Sequence, residues 1–397
     1  MKIVIHRGTH QIGGISTEIS TESSRVLIDM GDELSLEPSY VQAPLSIDGI
    51  TNNNGFCNGV LFTHYHGDHI GQMTQILDNI PMYSGALAKK IMLKSTKRAI
   101  KVNQALCSKI EKLNTFTGGK TLYFGNISVT PYSIDHSACD SYMFLIEAEE
   151  KRVLYTGDFR LHGFRGKAIP KIINKILAEK GKIDALITEG TNLSRPESTL
   201  ISEFELQQKV KEYLKQYKYV YVFCSTTYLE RICALSKSVP KGKYFVCDKY
   251  QNELLDLFET HYQSYSSFYK NIKKVVYGDN IYEKLRDKGF LMTVRDNSEF
   301  RKIIKKFDKS QGIILYSLWD GYRTKTNSTI PDFLNLTDKW EYLHTSGHVS
   351  GKDLISVVDL AKPDIIIPMH TETPEKFKDI FKNFKVYVPN DKEEIIL

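Results

Sequence analysis

Up to about residue 198 the apolar residues come in short runs closed by polar ones, the pattern of strands joined by tight turns. Ile15-Ser16-Thr17-Glu18-Ile19-Ser20 is polar and apolar by turns, while Arg25-Val26-Leu27-Ile28-Asp29-Met30 and Gly59-Val60-Leu61-Phe62-Thr63-His64 are short apolar runs with polar ends. Ser141 to Asp158 reads as a hairpin, with Tyr142-Met143-Phe144-Leu145-Ile146 and Val153-Leu154-Tyr155 flanking an acidic turn. Ile183-Asp184-Ala185-Leu186-Ile187-Thr188 reads as a buried strand, and helical spacing interrupts at Ala86 to Ile100.

The pattern changes near Arg195-Pro196. Ser202 and Glu205 form a capping-box signature, after which Leu206, Val210, Tyr213, Leu214 and Tyr217 recur at helical spacing. Strand signals such as Tyr219 to Phe223 then alternate with helical ones to about residue 340, which predicts an α/β lobe. The tail returns to the first style. Leu354 to Leu360 suits a helix, and Ile365-Ile366-Ile367-Pro368-Met369-His370 suits a buried strand. The expected arrangement is one domain made of residues 1–198 and 341–397, with residues 199–340 inserted into it.

With 397 residues, two domains or one domain with a large insert is the size expectation. The 41% apolar and 25% charged residues fit a soluble globular protein rather than a disordered one. No apolar run is long enough for a membrane span. Met1 to His6 reads as a strand and lacks the apolar core of a signal peptide. The net charge of +6 tolerates a polyanionic partner without demanding one. The six cysteines contain no C-x-x-C pair, so free thiols in a reducing cytoplasm are expected. Cys139 stands out because it lies in a candidate site loop.

The strongest chemical signal is Thr63-His64-Tyr65-His66-Gly67-Asp68-His69, directly after an apolar strand. A loop at a strand end can turn imidazole and carboxylate groups toward one point, and those donors suit zinc, manganese or iron. Asp135-His136 follows Val129 to Ile134, Asp158 closes the hairpin, and His370 ends Ile365 to Met369. Each strand tip therefore carries one metal-type side chain.

His64-x-His66-x-Asp68-His69, with His136 and Asp158 in that order and Asp29 in Leu27-Ile28-Asp29-Met30-Gly31, resembles the metallo-β-lactamase superfamily. The resemblance implies an αββα sandwich (an α/β fold) with the site at one sheet edge. It implies two divalent metal ions, zinc with manganese as the alternative. His64, His66 and His136 would hold one, and Asp68, His69 and His370 the other. Asp158 would bridge them, and Asp29 would prop the loop. Leu343-His344-Thr345-Ser346-Gly347-His348-Val349-Ser350, Pro368-Met369-His370-Thr371-Glu372 and Thr188-Glu189-Gly190-Thr191-Asn192 are similar to motifs of the β-CASP nucleases, most of all ribonuclease J. That branch implies that the inserted lobe is a β-CASP cap supplying a cleft for nucleic acid, with RNA as substrate and single-stranded DNA as the alternative. Endo- and exonuclease action are both left open, as is a homo-oligomer.

An independent reason to expect phosphate comes from Ser350-Gly351-Lys352-Asp353, which reads as a capped helix start. Ser346-Gly347-His348 would precede it, where backbone N–H groups favour an anion and Gly347 and Gly351 let the chain come close. The expected chemistry is hydrolysis of a phosphodiester by hydroxide generated between the two metals. Asp68 would orient the nucleophile and accept its proton, His348 would polarise the phosphate and protonate the leaving oxygen, Glu189 would orient a site histidine by resemblance, and His344 would contact phosphate.

Other residues stay two-sided. Arg160, His162 and Arg165 read either as phosphate contacts or as surface ion pairs, and Lys302, Lys305 and Lys306 near Phe307 as a cleft margin or, preferably, a solvated helix face. Three departures from ribonuclease J stand out: Thr371 where glycine is usual, no proline in His136-Ser137-Ala138-Cys139-Asp140, and no further domain after the last motif. Two other functions compete. One is a metallo-hydrolase of a lactone, thioester or cyclic nucleotide. The other is a non-catalytic nucleic-acid-binding relative.

Overall fold

Strand Ser141–Ala148 shows how the chain builds its layers. Tyr142, Phe144, Ile146 and Ala148 enter one apolar cluster while Met143 and Leu145 enter another, because successive side chains leave a strand on opposite faces. The same split separates Val153 and Tyr155 from Leu154, Ala185 and Ile187 from Leu186, and Ile365 and Ile367 from Ile366. This sheet is covered on both faces, which is why its strands read as unbroken apolar runs.

These positions come from a computed structural model that describes residues 1–35, 40, 42–98, 102–194 and 200–397. The pattern change at Arg195-Pro196 and the helix end at Ile100 lie outside the described residues. By its internal contacts the chain forms two units, Met1–Ser198 with Gly347–Leu397, and Thr199–Ser346.

In the first unit, one sheet runs Ile365–Met369, Ala185–Glu189, Lys151–Tyr155, Ser141–Ala148, Ile127–Ile134, Leu122–Phe124. The other runs Glu394–Ile396, Lys2–Arg7, Ser16–Ser20, Arg25–Ile28, Gly59–Leu61, Met82–Gly85, Asn114–Phe116. Ile3, Ile5, Ile19, Val26, Ile28 and Leu61 of the latter meet the inner face of the former in one cluster. On the outer face, helix Ala168–Lys180 supplies Ile169, Ile173 and Ile176, and helix Gly351–Ala361 supplies Leu354, Val357, Val358 and Ala361. Both sets follow the helical period. Parallel pairing of Met82–Gly85 with Asn114–Phe116 requires a crossover. Helices Ala86–Arg98 and Gln104–Lys112 make it and bury Leu87, Ile91 and Ile110. The layers are thus helix, sheet, sheet, helix.

Topology places the functional loops together. Ile365–Met369, Ala185–Glu189 and Lys151–Tyr155 pair in parallel, and two antiparallel steps make Ile127–Ile134 run the same way. Their C-terminal ends therefore share one edge, where Glu189, Asp158, His136 and His370 emerge. In the facing sheet, Arg25–Ile28 and Gly59–Leu61 are also parallel and lead into Asp29 and His64.

The second unit holds a six-stranded sheet, all of whose described pairings are parallel: Val275–Val276, Tyr244–Cys247, Phe290–Val294, Tyr219–Phe223, Gly312–Tyr316, Trp340–Tyr342. Helix Glu203–Gln216 begins at the Ser202–Glu205 capping box. Phe307 is a core ring, while Lys302 and Lys306 lie at the surface paired to Glu299 and Asp279.

Candidate metal centre

Asp29 organises the histidine loop. It sits in a left-handed conformation, φ 59°. Its Oδ1 accepts the Thr63 N–H at 2.8 Å, and its Oδ2 accepts the Thr63 hydroxyl and faces His69 Nδ1, both at 2.8 Å. Because the Thr63 proton goes to Asp29, the Thr63 oxygen is left to accept from His64 Nδ1, 3.0 Å away. The two rings thereby turn their Nε2 lone pairs inward. Gly31 is obligatory for this arrangement, since a Cβ there would meet the Asp68 carbonyl oxygen at 1.6 Å.

His64, His66 and His136 form the first donor group, with ligand atoms within 4.8 Å of one another. His66 Nδ1 lies 3.1 Å from His64 Nε2 and 3.2 Å from His136 Nε2. His136 gives its Nδ1–H to the Gly347 carbonyl at 2.7 Å, so its Nε2 is also a lone pair. Burial, helped by the neighbouring rings, holds His64 well below the usual imidazole value. Burial likewise pushes His66 down to about 4 and His136 well down, against the pull of nearby carboxylates. Three neutral nitrogens thus converge with at most one proton among them, an arrangement that a divalent cation satisfies.

Asp68, His69, Asp158 and His370 form the second group. Asp158 Oδ2 lies 3.2 Å from His69 Nε2 and 3.7 Å from His370 Nε2, and 3.9 Å from the Nε2 atoms of His64 and His136. One oxygen therefore stands between both groups. Asp158 Oδ1 is buried and accepts no hydrogen bond from the described residues. Burial opposes ionisation of Asp158 and Asp68, but facing imidazoles (His370 and His69 for both) hold each carboxylate below its usual range. Burial would lower His69, yet Asp158, Asp29 and Asp68 overcome it and raise that ring well above the ordinary value. The same negative field would draw in a cation. On donor chemistry and on the unmatched Asp158 oxygen, the residues present fit a pair of divalent metals.

His370 reaches the group from a left-handed residue, φ 50°, with its N–H on the Gly8 carbonyl. Its Nδ1 meets Thr191 Oγ1 at 2.7 Å, and its Nε2 faces Asp68 Oδ2 at 3.3 Å. Beside it His348 stacks, ring centroids 5.3 Å apart. His348 Nδ1 lies 2.9 Å from Glu189 Oε2, while Glu189 Oε1 accepts the Phe159 N–H at 2.8 Å. Glu189, Asp158, His348 and His370 also bring ligand atoms within 4.8 Å. Both Glu189 oxygens are thus engaged, one by the Phe159 N–H and one by the His348 ring.

Some sequence expectations change. Arg160 is neither a surface ion pair nor an exposed phosphate contact: it is buried, and its Nε donates to Asp135 Oδ1 at 2.7 Å. Arg165 gives a backbone N–H to Asp135 and its Nη1 to Ser133 Oγ. Together they brace the loop carrying His136 against the one carrying Asp158. The missing side chain of Gly347 serves the protein itself, since a Cβ would lie 2.5 Å from Ser137 Oγ. Ser350 caps helix Gly351–Ala361 through the Asp353 N–H. Thr371 is buried, and Gly190 makes room for it, for a Cβ on Gly190 would sit 3.2 Å from Thr371 Cβ. His344 and Ser346 belong to the second unit, Gly347 and His348 to the first. Cys139 is buried with its N–H on the Tyr65 hydroxyl, and none of the six cysteines is in a disulfide.

Sequence reasoning missed Thr63, Thr191 and the Asp135–Arg160 pair. Asn192 was missed too; it donates to the His348 and Val349 carbonyls. Thr191 and Asn192 lay inside a motif already quoted, so their position beside Glu189 was the available signal.

Comparison with known proteins agrees with this geometry. Residues 25–215 match the family described as a beta-lactamase superfamily domain. Ribonuclease J of Mycoplasma genitalium is 21% identical, the alignment covering 94% of this chain and 68% of that one. Ribonuclease J of Helicobacter pylori is 21% identical over 94% of this chain and 56% of its own. A probable RNase of Methanocaldococcus jannaschii is 25% identical over 54% of this chain and 51% of its own. The chain thus spans about half to two thirds of these relatives' lengths. A crystal structure of an Enterococcus faecalis protein of unknown function matches with TM-score 0.78 at 19% identity, covering 100% of this chain and 99% of that one. The helix–sheet–sheet–helix layers and the motif set running from Asp29 to His370 agree with the beta-lactamase superfamily domain that residues 25–215 match.

Proposed function

We propose that the protein is a metal-dependent ribonuclease of the ribonuclease J type, with residues 199–340 serving as a β-CASP cap and zinc, or else manganese, as the bound metal. The observation that carries this reading is Asp158 Oδ2 standing within 3.9 Å of ring nitrogens from both donor groups, with the Glu189-bound His348 beside them. The ribonuclease names of the aligned relatives support the substrate class. Six cysteines outside any disulfide fit a reducing, cytoplasmic setting. No helix among the described residues is long and apolar enough to cross a membrane.

A metal pair bound by His64, His66, His136, Asp68, His69, Asp158 and His370 would lower the pKa of water toward ~7 and neutralise charge on a phosphate. The protein's own groups do the rest. Asp68, ionised at neutral pH, orients the attacking water rather than storing its proton. The water oxygen forms the new bond to phosphorus as the bond to the leaving oxygen breaks. His348, its Nδ1 committed to Glu189, takes up through Nε2 the proton that the water releases and delivers it to the leaving oxygen. Gly347 and His348 supply hydrogen bonds to phosphate oxygens.

The test is digestion of 5′-labelled RNA and DNA oligomers by zinc- or manganese-reconstituted protein, with product lengths read on a gel. Single-nucleotide products from the 5′ end mark an exonuclease, and internal fragments an endonuclease. RNA cleavage by Asp68→Ala at the native rate, or hydrolysis of a chromogenic lactone with no action on RNA, would overturn the proposal.

A further inference from the structure

Four histidines of the metal centre turn Nε2 toward it, and each offers a lone pair there only while its proton stays on Nδ1. On the Nδ1 side His64 has the Thr63 hydroxyl, His69 has Asp29, and His136 has the Gly347 carbonyl. His370 has Thr191, far from it in sequence and close to it by topology. Strands Ala185–Glu189 and Ile365–Met369 pair in parallel with Glu189 opposite Met369, so the two residues leave the same sheet edge side by side. Gly190 permits the turn between them and Phe377, since a Cβ there would lie 2.5 Å from Phe377 Cε2. Thr191 then opens a 3-10 turn that runs to Ser194 and is itself buried.

Thr191 Oγ1 lies 2.7 Å from His370 Nδ1, 3.2 Å from the His370 carbonyl oxygen and 3.3 Å from His348 Nδ1. His348 Nδ1 has the nearer Glu189 carboxylate at 2.9 Å, so the short contact of the hydroxyl is the one to His370. A neutral imidazole carries one proton. Ligation of a metal through Nε2 leaves that proton on Nδ1, where Thr191 Oγ1 accepts it. With no metal the proton has a second place, Nε2, opposite Asp68 Oδ2 at 3.3 Å. The hydroxyl therefore matches the ligating form of the ring, and the Asp68 carboxylate matches the other.

We propose that Thr191 is a positioning residue for the metal assigned to Asp68, His69 and His370. Its hydroxyl accepts the His370 Nδ1–H and so selects the ring form whose Nε2 is a free lone pair. This role rests on the metal-dependent reading above. Thr191→Val keeps the shape of the side chain and puts a methyl where the hydroxyl was. In the metal-free variant the His370 proton sits on Nε2 against Asp68, and little is lost. Metal binding then forces a buried N–H against the methyl, and the missing hydrogen bond weakens the metal. A side chain that merely fills space would instead show its loss in the metal-free protein.

Competition between a chromogenic chelator and the whole protein for zinc tests this without reference to nuclease activity. Thr191→Val should weaken one of two bound equivalents about 10–100-fold, the range for an outer partner of a metal ligand. Thr191→Ser keeps the hydroxyl and should stay within about threefold of the wild type. Urea unfolding of the metal-free proteins should give Thr191→Val nearly the wild-type midpoint, while the zinc-loaded variant should fall below the zinc-loaded wild type. Ring-nitrogen NMR of the zinc-loaded wild type should show a protonated His370 Nδ1 in contact with the Thr191 methyl. Equal zinc affinity in wild type and Thr191→Val, or a serine variant as weak as the valine one, overturns the proposal. So does a bare His370 Nδ1 in the loaded wild type, or a valine variant as destabilised without metal as with it. A wild type that takes up neither zinc nor manganese sinks the metal reading and this role with it. A protein that shows the expected differences but does not cleave RNA counts against the nuclease reading alone and leaves the role of Thr191 standing.

Discussion

His348 Nδ1 lies 2.9 Å from Glu189 Oε2, and the other oxygen of Glu189 holds the Phe159 N–H at 2.8 Å. Both acceptors of one buried carboxylate are thus assigned. Glutamine at 189 offers one acceptor and one amide donor, so either His348 or Phe159 must face a like donor. Glu189→Gln should lower kcat on RNA about 10²-fold, the scale of a displaced acid–base group. Its metal content should match the wild type, because Glu189 is not counted among the seven proposed ligands. Loss of metal together with activity, by elemental analysis of the purified variant, would assign Glu189 to the metal shell instead.

Asp29 takes three hydrogen bonds from the histidine loop and touches no candidate metal position. Asp29→Asn keeps the shape but puts an amide donor against Thr63 or His69. Outer partners of this kind are worth about 10–100-fold in metal affinity. Competition with a chromogenic chelator should show that weakening, and an unchanged dissociation constant would deny Asp29 its orienting role.

Gly31 owes its identity to contact rather than conformation. A Cβ would lie 1.6 Å from the Asp68 carbonyl oxygen and 2.0 Å from its carbon. Both are backbone atoms of the ligand loop, so no rotamer relieves the clash. The Ile15 N–H already bonds that carbonyl at 3.1 Å, and the Gly31 N–H bonds the Ile15 carbonyl at 3.0 Å. Gly31→Ala should therefore displace Asp68 and His69 together. A lowered thermal midpoint and loss of at least one equivalent of bound metal are expected. Full metal occupancy with native stability would contradict the close approach.

The layers, and the histidines and aspartates gathered at one sheet edge, were legible because both leave marks in sequence. Strands such as Ile365–Met369 read as apolar runs since both faces are covered, and the site residues stand at their C-terminal ends where the run breaks. What supports the ligands was not legible. Thr63 and Thr191 act through a hydroxyl whose partner lies far along the chain, as with Thr191 and His370 at a separation of 179 residues. Such contacts have no period. Arg160 was misread for a related reason: a charged side chain near a site suggests surface or substrate, and only the fold shows that Asp135 neutralises it in the interior. The separation of His344 from His348 into different units is also invisible in a motif only five residues long.

Away from the metal centre, Glu18 gives a prediction in pH. Its carboxylate lies between His6 Nε2 at 2.8 Å and Arg25 Nη2 at 2.6 Å. Burial opposes ionisation, but the hydrogen bonds and charges of His6 and Arg25 prevail and pull its pKa from the ordinary 4.5 down to about 2. A carboxyl more acidic in the folded state than in the unfolded one stabilises the fold fully above its unfolded pKa. That contribution drains away as pH falls through the folded value. The window is therefore pH 4.5 to about 2, and the contribution above it is on the order of 3 kcal/mol. Glu18→Gln removes the ionisation while keeping the size of the side chain. Urea unfolding should show the wild type more stable by about that amount near neutral pH, with the gap shrinking steadily as the buffer is acidified below the window's upper edge. A gap that stays constant through the acid range would mean that Glu18 contributes shape and hydrogen bonding but no charge.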